Sequence, residues 1–387
     1  MASSFKRSHQ KRQNSAGVVV RQAYQTSALL ENMKISSVPE PCPFPNLPPP
    51  QKVLLTGATG FLGRHVLYEL IKRPIKLACL VRASNISSGT KRLKEVIETM
   101  PLSLEKKQKA LQSIEVVLPQ DLHDKNKLPS FDCLIHTAAN VSLSSSFSQS
   151  FDDNVGLTQK LYRIAQKNNA HFVHVSTLSV FVSSDFPQTV ISPISSLSQT
   201  SRLFGNYAAT KYLAEAFLFS QKDIPLSVYR LGQLASSLWY SPNHDPIQSI
   251  IHATKLSGLP SWFVPNSNDQ TDLVSTMEVA SILVQHLCSP NVYHLASPKS
   301  LSSLQMFEAL TKTFPQSLFH RNHWENHKQA SRALLRYSNP CMHQKYPYWD
   351  VFQSSHHVYE NSLINRPAHT VFSHMLQYSA TPPYQTL

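Results

Sequence analysis

Glycine is scarce in this chain, at nine residues among 387. A cluster of it is therefore a signal, because glycine serves where a backbone needs positive φ or a close approach. Cysteine is scarce as well. Its five copies, Cys42, Cys79, Cys133, Cys288 and Cys341, are scattered, odd in number and without C-x-x-C spacing. That argues against a disulfide framework and fits a reducing, cytoplasmic compartment. Long apolar runs are missing, since Gly17–Val20 and Val53–Leu55 are far too short to cross a bilayer. No integral membrane segment is expected. Acids are few, 23 Asp and Glu against 36 Lys and Arg, for a formal net charge of +13. A basic balance first raises nucleic acid, but neither a recognition module nor an aromatic–basic repeat is present, so no such partner is expected. Internal repeats are lacking too. What remains is an ordinary globular composition, 41% hydrophobic, long enough for a large core in one or two domains.

Three of the nine glycines fall in one octet, Thr56-Gly57-Ala58-Thr59-Gly60-Phe61-Leu62-Gly63. It directly follows the apolar run Val53-Leu54-Leu55 and opens the amphipathic segment Phe61–Lys72. A buried strand feeding a glycine turn and then a helix offers unpaired N–H groups and a positive dipole to a phosphate. Gly57 suits the tight turn, Gly60 the approach of a pyrophosphate and Gly63 close helix–strand packing. The alternative is a purely structural turn, and the strand-before, helix-after context favours dinucleotide binding. An NAD site usually places an acid about 20 residues on, at the end of the second strand. Here Leu77-Ala78-Cys79-Leu80-Val81 ends in Arg82, with Lys91 and Arg92 following. The missing carboxylate and the arginine favour NADP, whose 2′-phosphate Arg82 would pair; the bland reading is a solvent-facing arginine.

Further along, Tyr207-Ala208-Ala209-Thr210-Lys211 begins a helical pattern running to Gln221. Residues four apart share a helix face, so phenol and ammonium point into one site, and a cation nearby favours phenolate. Upstream, the strand His171-Phe172-Val173-His174-Val175 ends at Ser176-Thr177. A hydroxyl there would orient or polarise a carbonyl, with Tyr207 as proton donor. Alone, Y-x-x-x-K is a common accident of helix surfaces. Its place after a glycine turn and a hydroxyl-ended strand gives it meaning.

The glycine octet, Cys79-Leu80-Val81-Arg82-Ala83 with Lys91-Arg92-Leu93, Ile135-His136-Thr137-Ala138-Ala139-Asn140-Val141, Asn154-Val155-Gly156, His174–Thr177 and Tyr207–Lys211 together resemble the extended short-chain dehydrogenases/reductases. The closer likeness is to the thioester-reductase group: terminal reductase domains of carboxylic acid reductases and nonribosomal peptide synthetases, and fatty acyl-CoA reductases. The likeness spans roughly residues 52 to 300. It implies a catalytic triad of Thr177, Tyr207 and Lys211, with Lys211 also on the nicotinamide ribose. It implies cofactor contacts from Gly57, Thr59, Gly60, Phe61, Leu62 and Gly63, Arg82 on the phosphate of NADPH, Asp121-Leu122 near the adenine, and Ala138-Ala139 lining the cofactor. No metal is implied. The activity implied is NADPH-dependent reduction of an acyl thioester to an aldehyde, with onward reduction to an alcohol left open. The thioester would arrive on CoA or an acidic acyl-carrier protein, since neither an adenylation nor a carrier pattern is found. These partners are anionic, which gives the basic surface a second reading beside a general compositional bias. Two alternatives stand: an extended reductase, dehydrogenase or epimerase acting on another carbonyl or hydroxyl, and a non-catalytic NADP(H) sensor, which the intact Tyr/Lys pair disfavours. One departure is that Arg230 is followed by Leu231-Gly232-Gln233, where relatives usually carry proline after the arginine. Another is that Leu234–Ser241 lacks the glycines those relatives use around the substrate.

Strands are expected near 52–56, 77–81, 114–118, 132–136, 171–176 and 225–230, with helices at 91–99, 104–112, 150–168 and 206–221. That alternation predicts an α/β, Rossmann-type, doubly wound parallel sheet across residues 51–240. A strand near 291–295 and the helix Ser302–Thr313 are expected in a smaller C-terminal substrate-binding subdomain within 241–387. Residues 1–50 read as a basic, proline-rich tail, either a disordered arm or an organelle-targeting segment. In the His-rich stretch 315–387, His320, His323 and His327 could share a helix face, though solvated histidines are the plainer reading. Trp324, Tyr346, Tyr348, Trp349 and Phe352 could wall an acyl pocket or simply form core.

Overall fold

The apolar runs become strands because each is short, β-branched or leucine-rich, and flanked on both sides by amphipathic segments that cover it. The computed structural model describes residues 30–35, 37–124, 127–142, 145–181, 190–197, 203, 205–242, 245–257, 270–315, 358–360 and 362–380. Seven strands form one sheet: β1 (Lys52–Thr56), β2 (Lys76–Leu80), β3 (Glu115–Val117), β4 (Cys133–His136), β5 (His171–Thr177), β6 (Leu226–Leu231) and β7 (Val292–Leu295). Their spatial order is β3-β2-β1-β4-β5-β6-β7, and every pairing is parallel. This is the Rossmann-type, doubly wound arrangement that the alternation implied.

The helices are α1 (Phe61–Ile71), α2 (Ile86–Glu98), α3 (Leu104–Ser113), α4 (Phe147–Phe151), α5 (Leu157–Lys167), α6 (Gly205–Ser220), α7 (Pro246–Ser257), α8 (Thr276–Gln285), α9 (Ser303–Thr313) and α10 (Ala368–Ala380). On one face of the sheet, Leu54, Leu134, Phe172 and Val228 pack with Leu161 of α5 and Leu213 and Leu218 of α6. On the other, Val53, Leu55, Ile135, Val173 and Tyr229 meet Val66, Leu67 and Leu70 of α1, Leu93 and Ile97 of α2, and Val279 and Leu283 of α8. Alternate residues of each strand thus feed opposite cores, as period-2 geometry requires. A third, smaller core joins Ile250 and Ile251 of α7, Met306 and Leu310 of α9, and Phe372 and Met375 of α10.

Three features differ from expectation. Helix α2 starts five residues before 91, because Asn85 and Ser88 form a capping box: the Asn85 side chain accepts from Ser88 N at 2.9 Å, and Asn85 N donates to Ser88 Oγ at 3.3 Å. The strand near 291–295 is β7 of the main sheet, paired with β6; α7, α9 and α10 build the separate core together with Ala235, Leu273 and Leu301. A domain boundary at 240 therefore cuts through the sheet's own element list. The described part of the expected tail is tied to the fold: Ile35 and Val38 are buried in the α5–α6 core, Phe44 N donates to Pro290 O at 3.3 Å and Leu47 N to Cys288 O at 2.7 Å. Its extended backbone matches the proline-rich sequence. His320, His323, His327, Trp324, Tyr346, Tyr348, Trp349 and Phe352 lie outside the described residues. Among the described residues, no helix is long and apolar enough to cross a membrane.

Candidate active site

The winding of the sheet reverses between β1 and β4, since β2 and β3 lie on one side and β5 to β7 on the other. Such a reversal opens a crevice at the carboxyl ends of the strands, where nucleotides bind in this architecture. The glycine turn occupies that crevice. Gly57 has φ +75°, and a Cβ there would lie 2.6 Å from Thr137 Oγ1 and 2.7 Å from Ala138 N. A Cβ on Gly63 would fall 1.9 Å from the Gly57 carbonyl oxygen. Both positions are closed to any side chain, so α1 begins pressed against the turn with its N–H groups at the crevice. Gly60 N closes the turn onto Gly57 O at 2.8 Å. Arg64 then grips it from behind, donating from Nη2 to Thr59 O at 3.0 Å and from Nε to Gly60 O at 3.2 Å. The Arg64 guanidinium lies 3.2 Å over the Tyr240 ring, and Phe61 stands 6.0 Å from the same ring. Leu62 turns its side chain into the core.

Across the crevice, Thr137 Oγ1 donates to Thr56 O at 2.7 Å and Ala138 N to Thr56 Oγ1 at 3.3 Å. The Ala138-Ala139 loop is thereby stitched to β1. Arg82 is exposed at the end of β2, near exposed Lys91 and Arg92 of α2, and the Arg92 guanidinium donates to the Arg82 carbonyl. The Asp121 carboxylate accepts from Leu118 N at 2.8 Å, capping the short turn Pro119–His123, and Leu122 is buried.

Thr177, Tyr207 and Lys211 come together where α6 crosses the end of β5. Tyr207 is hydrogen-bonded to Thr177; burial pushes its hydroxyl up to about 12, partly offset by that bond. Lys211 Nζ donates to Val175 O at 2.6 Å and contacts His174 Nε2 at 2.9 Å. Burial pushes its ammonium down to about 7, against the pull of Glu215. Ser176 is diverted, because its Oγ donates to Glu215; only Thr177 of the pair reaches Tyr207. The sequence suggested that Lys211 would favour the phenolate. The structure differs, since the ammonium faces β5 and burial dominates the phenol. A carbonyl bound here would meet a protonated tyrosine, a threonine hydroxyl and a cation one helical turn away.

Residues 55–283, more than half of the chain, match the family described as Male sterility protein, an NAD-binding family. The chain belongs to that family. Among curated relatives, it is 26% identical over 251 residues to an isonitrile lipopeptide synthase of Streptomyces coeruleorubidus, covering 61% of this chain and 16% of that protein. The match thus spans a small part of that relative's length. Among solved structures, the terminal R domain of the myxalamid PKS-NRPS pathway superposes with a TM-score of 0.67 at 20% identity, covering 86% of this chain and 91% of that one. A thiolation-reductase di-domain from an archaeal nonribosomal peptide synthetase gives 0.63 at 20%, covering 94% and 79%. These two likenesses establish the shared fold.

Four buried residues of this Male sterility family chain were given no site role from sequence. Asn154 sits in a π turn, Asp152–Gly156, between α4 and α5. Its amide accepts from Asn140 N at 2.7 Å and donates to Asn140 O at 3.1 Å and Thr210 Oγ1 at 3.0 Å. It thus ties the loop after β4 to the helix that carries Tyr207 and Lys211; π turns recur at such sites. Glu215 takes the next i+4 step after Tyr207 and Lys211, and Arg230 of β6 pairs with it at 2.8 Å, both fully buried. The fourth is His174. The i, i+4, i+8 spacing and a charge inside an apolar strand were the available signals for Glu215 and Arg230. Leu231, where relatives usually carry proline, continues β6 in register with Thr177 and Leu295.

Proposed function

We propose that this chain is an NADPH-dependent reductase of acyl thioesters, presented on an acyl-carrier protein or CoA. The observation that carries it is the Tyr207–Thr177 hydrogen bond at the carboxyl end of β5, with Lys211 one turn along α6. The residues present fit a dinucleotide: the cradle at Gly57 and Gly63 would be filled by any Cβ, and α1 points its N-terminus there. The bound cofactor supplies hydride to the thioester carbonyl carbon. Thr177 and Tyr207 hold the carbonyl oxygen, and Tyr207, kept protonated by burial, donates its proton to the oxyanion. Lys211 offers its remaining ammonium hydrogen to the ribose side. Loss of the thiol from the resulting hemithioacetal yields aldehyde and free thiol, so one hydride and one proton are consumed per thiol released. A second reduction would carry the aldehyde to the alcohol.

The thioester class is supported by the lipopeptide synthase relative and by the structural neighbour that joins a thiolation to a reductase domain. The net charge of +13 suits anionic CoA or an acidic carrier. Free Cys42, Cys79, Cys133 and Cys288 suit a reducing cytoplasmic compartment. The decisive assay follows NADPH oxidation and thiol release together over a panel of acyl-CoA and acyl-pantetheine thioesters. One thiol per first NADPH supports the reading; NADPH binding without thiol release overturns it in favour of another carbonyl substrate or a sensor. Arg82, exposed with no carboxylate at the end of β2, is assigned the 2′-phosphate. Arg82→Ala is expected to weaken NADPH binding by about 10- to 100-fold while leaving NADH binding near wild type. Equal effects on both dinucleotides would remove Arg82 from that role.

A further inference from the structure

His174 lies on β5, three residues before Thr177, and is fully buried. Its Nε2 is 2.9 Å from Lys211 Nζ. The ammonium's other contact is the Val175 carbonyl oxygen, which leaves the third of its hydrogens for the crevice. We propose that His174 is a positioning residue, a neutral imidazole whose Nε2 accepts from the Lys211 ammonium and so keeps that lysine charged and in place beside Tyr207. The inference rests on the reading of Lys211 as part of the active site.

The partner of His174 is a cation, whereas the neighbouring buried histidines His136 and His171 bind hydroxyls. His136 of β4 has both ring nitrogens satisfied by hydroxyls, Nδ1 at 2.8 Å from Thr56 Oγ1 and Nε2 at 3.1 Å from Thr158 Oγ1. Among the described residues, His174 hydrogen-bonds through Nε2 to the lysine, and its buried Nδ1 has no partner. With Nε2 accepting, the ring proton sits on Nδ1, so the tautomer presented to Lys211 is the one that leaves the other nitrogen unsatisfied.

The surroundings keep the ring neutral. Burial, the Lys211 ammonium and His136, its ring 5.5 Å away, all push His174 well below the usual histidine range. Around Lys211 stand Tyr207 and Glu215 on its own helix, His174 on β5, His136 on β4, and Arg230 of β6, which reaches Glu215. Only His174 and the Val175 carbonyl touch the ammonium directly among these described contacts. A neutral acceptor favours a buried cation, so removing it lowers the affinity of Lys211 for its proton.

The experiment titrates Lys211 itself, without nucleotide or substrate, by NMR of protein labelled with [ε-13C]lysine; the resonance is assigned by its loss in Lys211→Arg. His174→Leu is expected to lower the Lys211 midpoint by about one pH unit, a roughly tenfold change in protonation. His174→Gln places an amide oxygen near the Nε2 position and is expected to restore the wild-type midpoint within a few tenths. The alkaline limb of kcat should move with the Leu variant, with KM for NADPH changing less. Thermal unfolding checks that each variant folds; if Leu does not, His174→Met takes its place with the same expected shift. An unchanged Lys211 midpoint in the folded Leu or Met variant overturns the inference. A shifted midpoint in a protein that releases no thiol would sink the thioester reading and leave the role of His174 intact.

Discussion

Tyr207→Phe is expected to lower kcat by about 10²- to 10⁴-fold, with NADPH binding near wild type. The phenol is the only acid hydrogen-bonded to Thr177 at the end of β5 among the described contacts, and phenylalanine keeps the ring's packing while deleting the proton. The pH profile gives the assignment a second handle. Because burial holds the Tyr207 hydroxyl up at about 12, its ionisation cannot limit turnover near neutrality. Lys211, pushed down to about 7, loses its charge first as pH rises. Reduction is therefore expected to be full at least one unit below pH 7 and to fall as pH rises through a midpoint near Lys211's, not Tyr207's. Steady-state kcat from pH 5 to 10, measured on wild type and on Lys211→Arg, reads this directly. The arginine variant should retain its charge throughout and lose that alkaline limb, at whatever reduced rate it supports. A wild-type rate that stays flat up to pH 10, or a Phe variant of normal rate, would remove these roles.

The second large effect concerns stability. Glu215→Ala is expected to destabilise the fold by about 3–5 kcal/mol, because it strands a fully buried guanidinium. Arg230 Nε and Nη2 reach Glu215 at 3.0 and 2.8 Å, and Nη1 reaches the Pro193 carbonyl at 3.1 Å. The guanidinium also lies 4.7 Å over the Phe181 ring. Apolar packing of the same volume relieves most of such a penalty, so Glu215→Leu combined with Arg230→Met should recover much of the loss. Denaturant midpoints on Glu215→Leu, Arg230→Met and the double variant test the pairing as a cycle. Additive losses would show that the two side chains act independently.

The sheet was legible because strands buried on both faces must be continuously apolar. All seven expected strands fall within a residue of their observed ends, β1 at Lys52–Thr56 being identical. Helix α9 was anticipated as Ser302–Thr313, but α7, α8 and α10 were not. Helix α8 reads Thr276-Met277-Glu278-Val279-Ala280-Ser281-Ile282-Leu283-Val284-Gln285, an apolar stretch that periodicity alone does not separate from a strand. The start of α2 was hidden because Ser87-Ser88-Gly89 has loop composition, and only the reciprocal bonds with Asn85 convert it into a first turn. At the site, Thr177, Tyr207 and Lys211 were readable because each belongs to a short local motif. His174, Asn154 and Arg230 were not, since what they do depends on partners brought together by tertiary packing: Lys211, Thr210 and Glu215 are 37, 56 and 15 residues distant from them.

The π turn at Asp152–Gly156 carries one further implication. An extra residue in one helical turn acts as a phase shifter, letting α4 and α5 present independently chosen faces although the chain never leaves the helix. Asn154 can therefore point at Asn140 and Thr210 while Leu161 and Ala165, downstream, stay locked in the core beneath the sheet. Excising one residue from that turn would restore regular helix and rotate one segment against the other by roughly 100°. Either the asparagine would leave its partners or the apolar stripe would leave the sheet. The helix thus tolerates point changes along its solvent face far better than any change in its length.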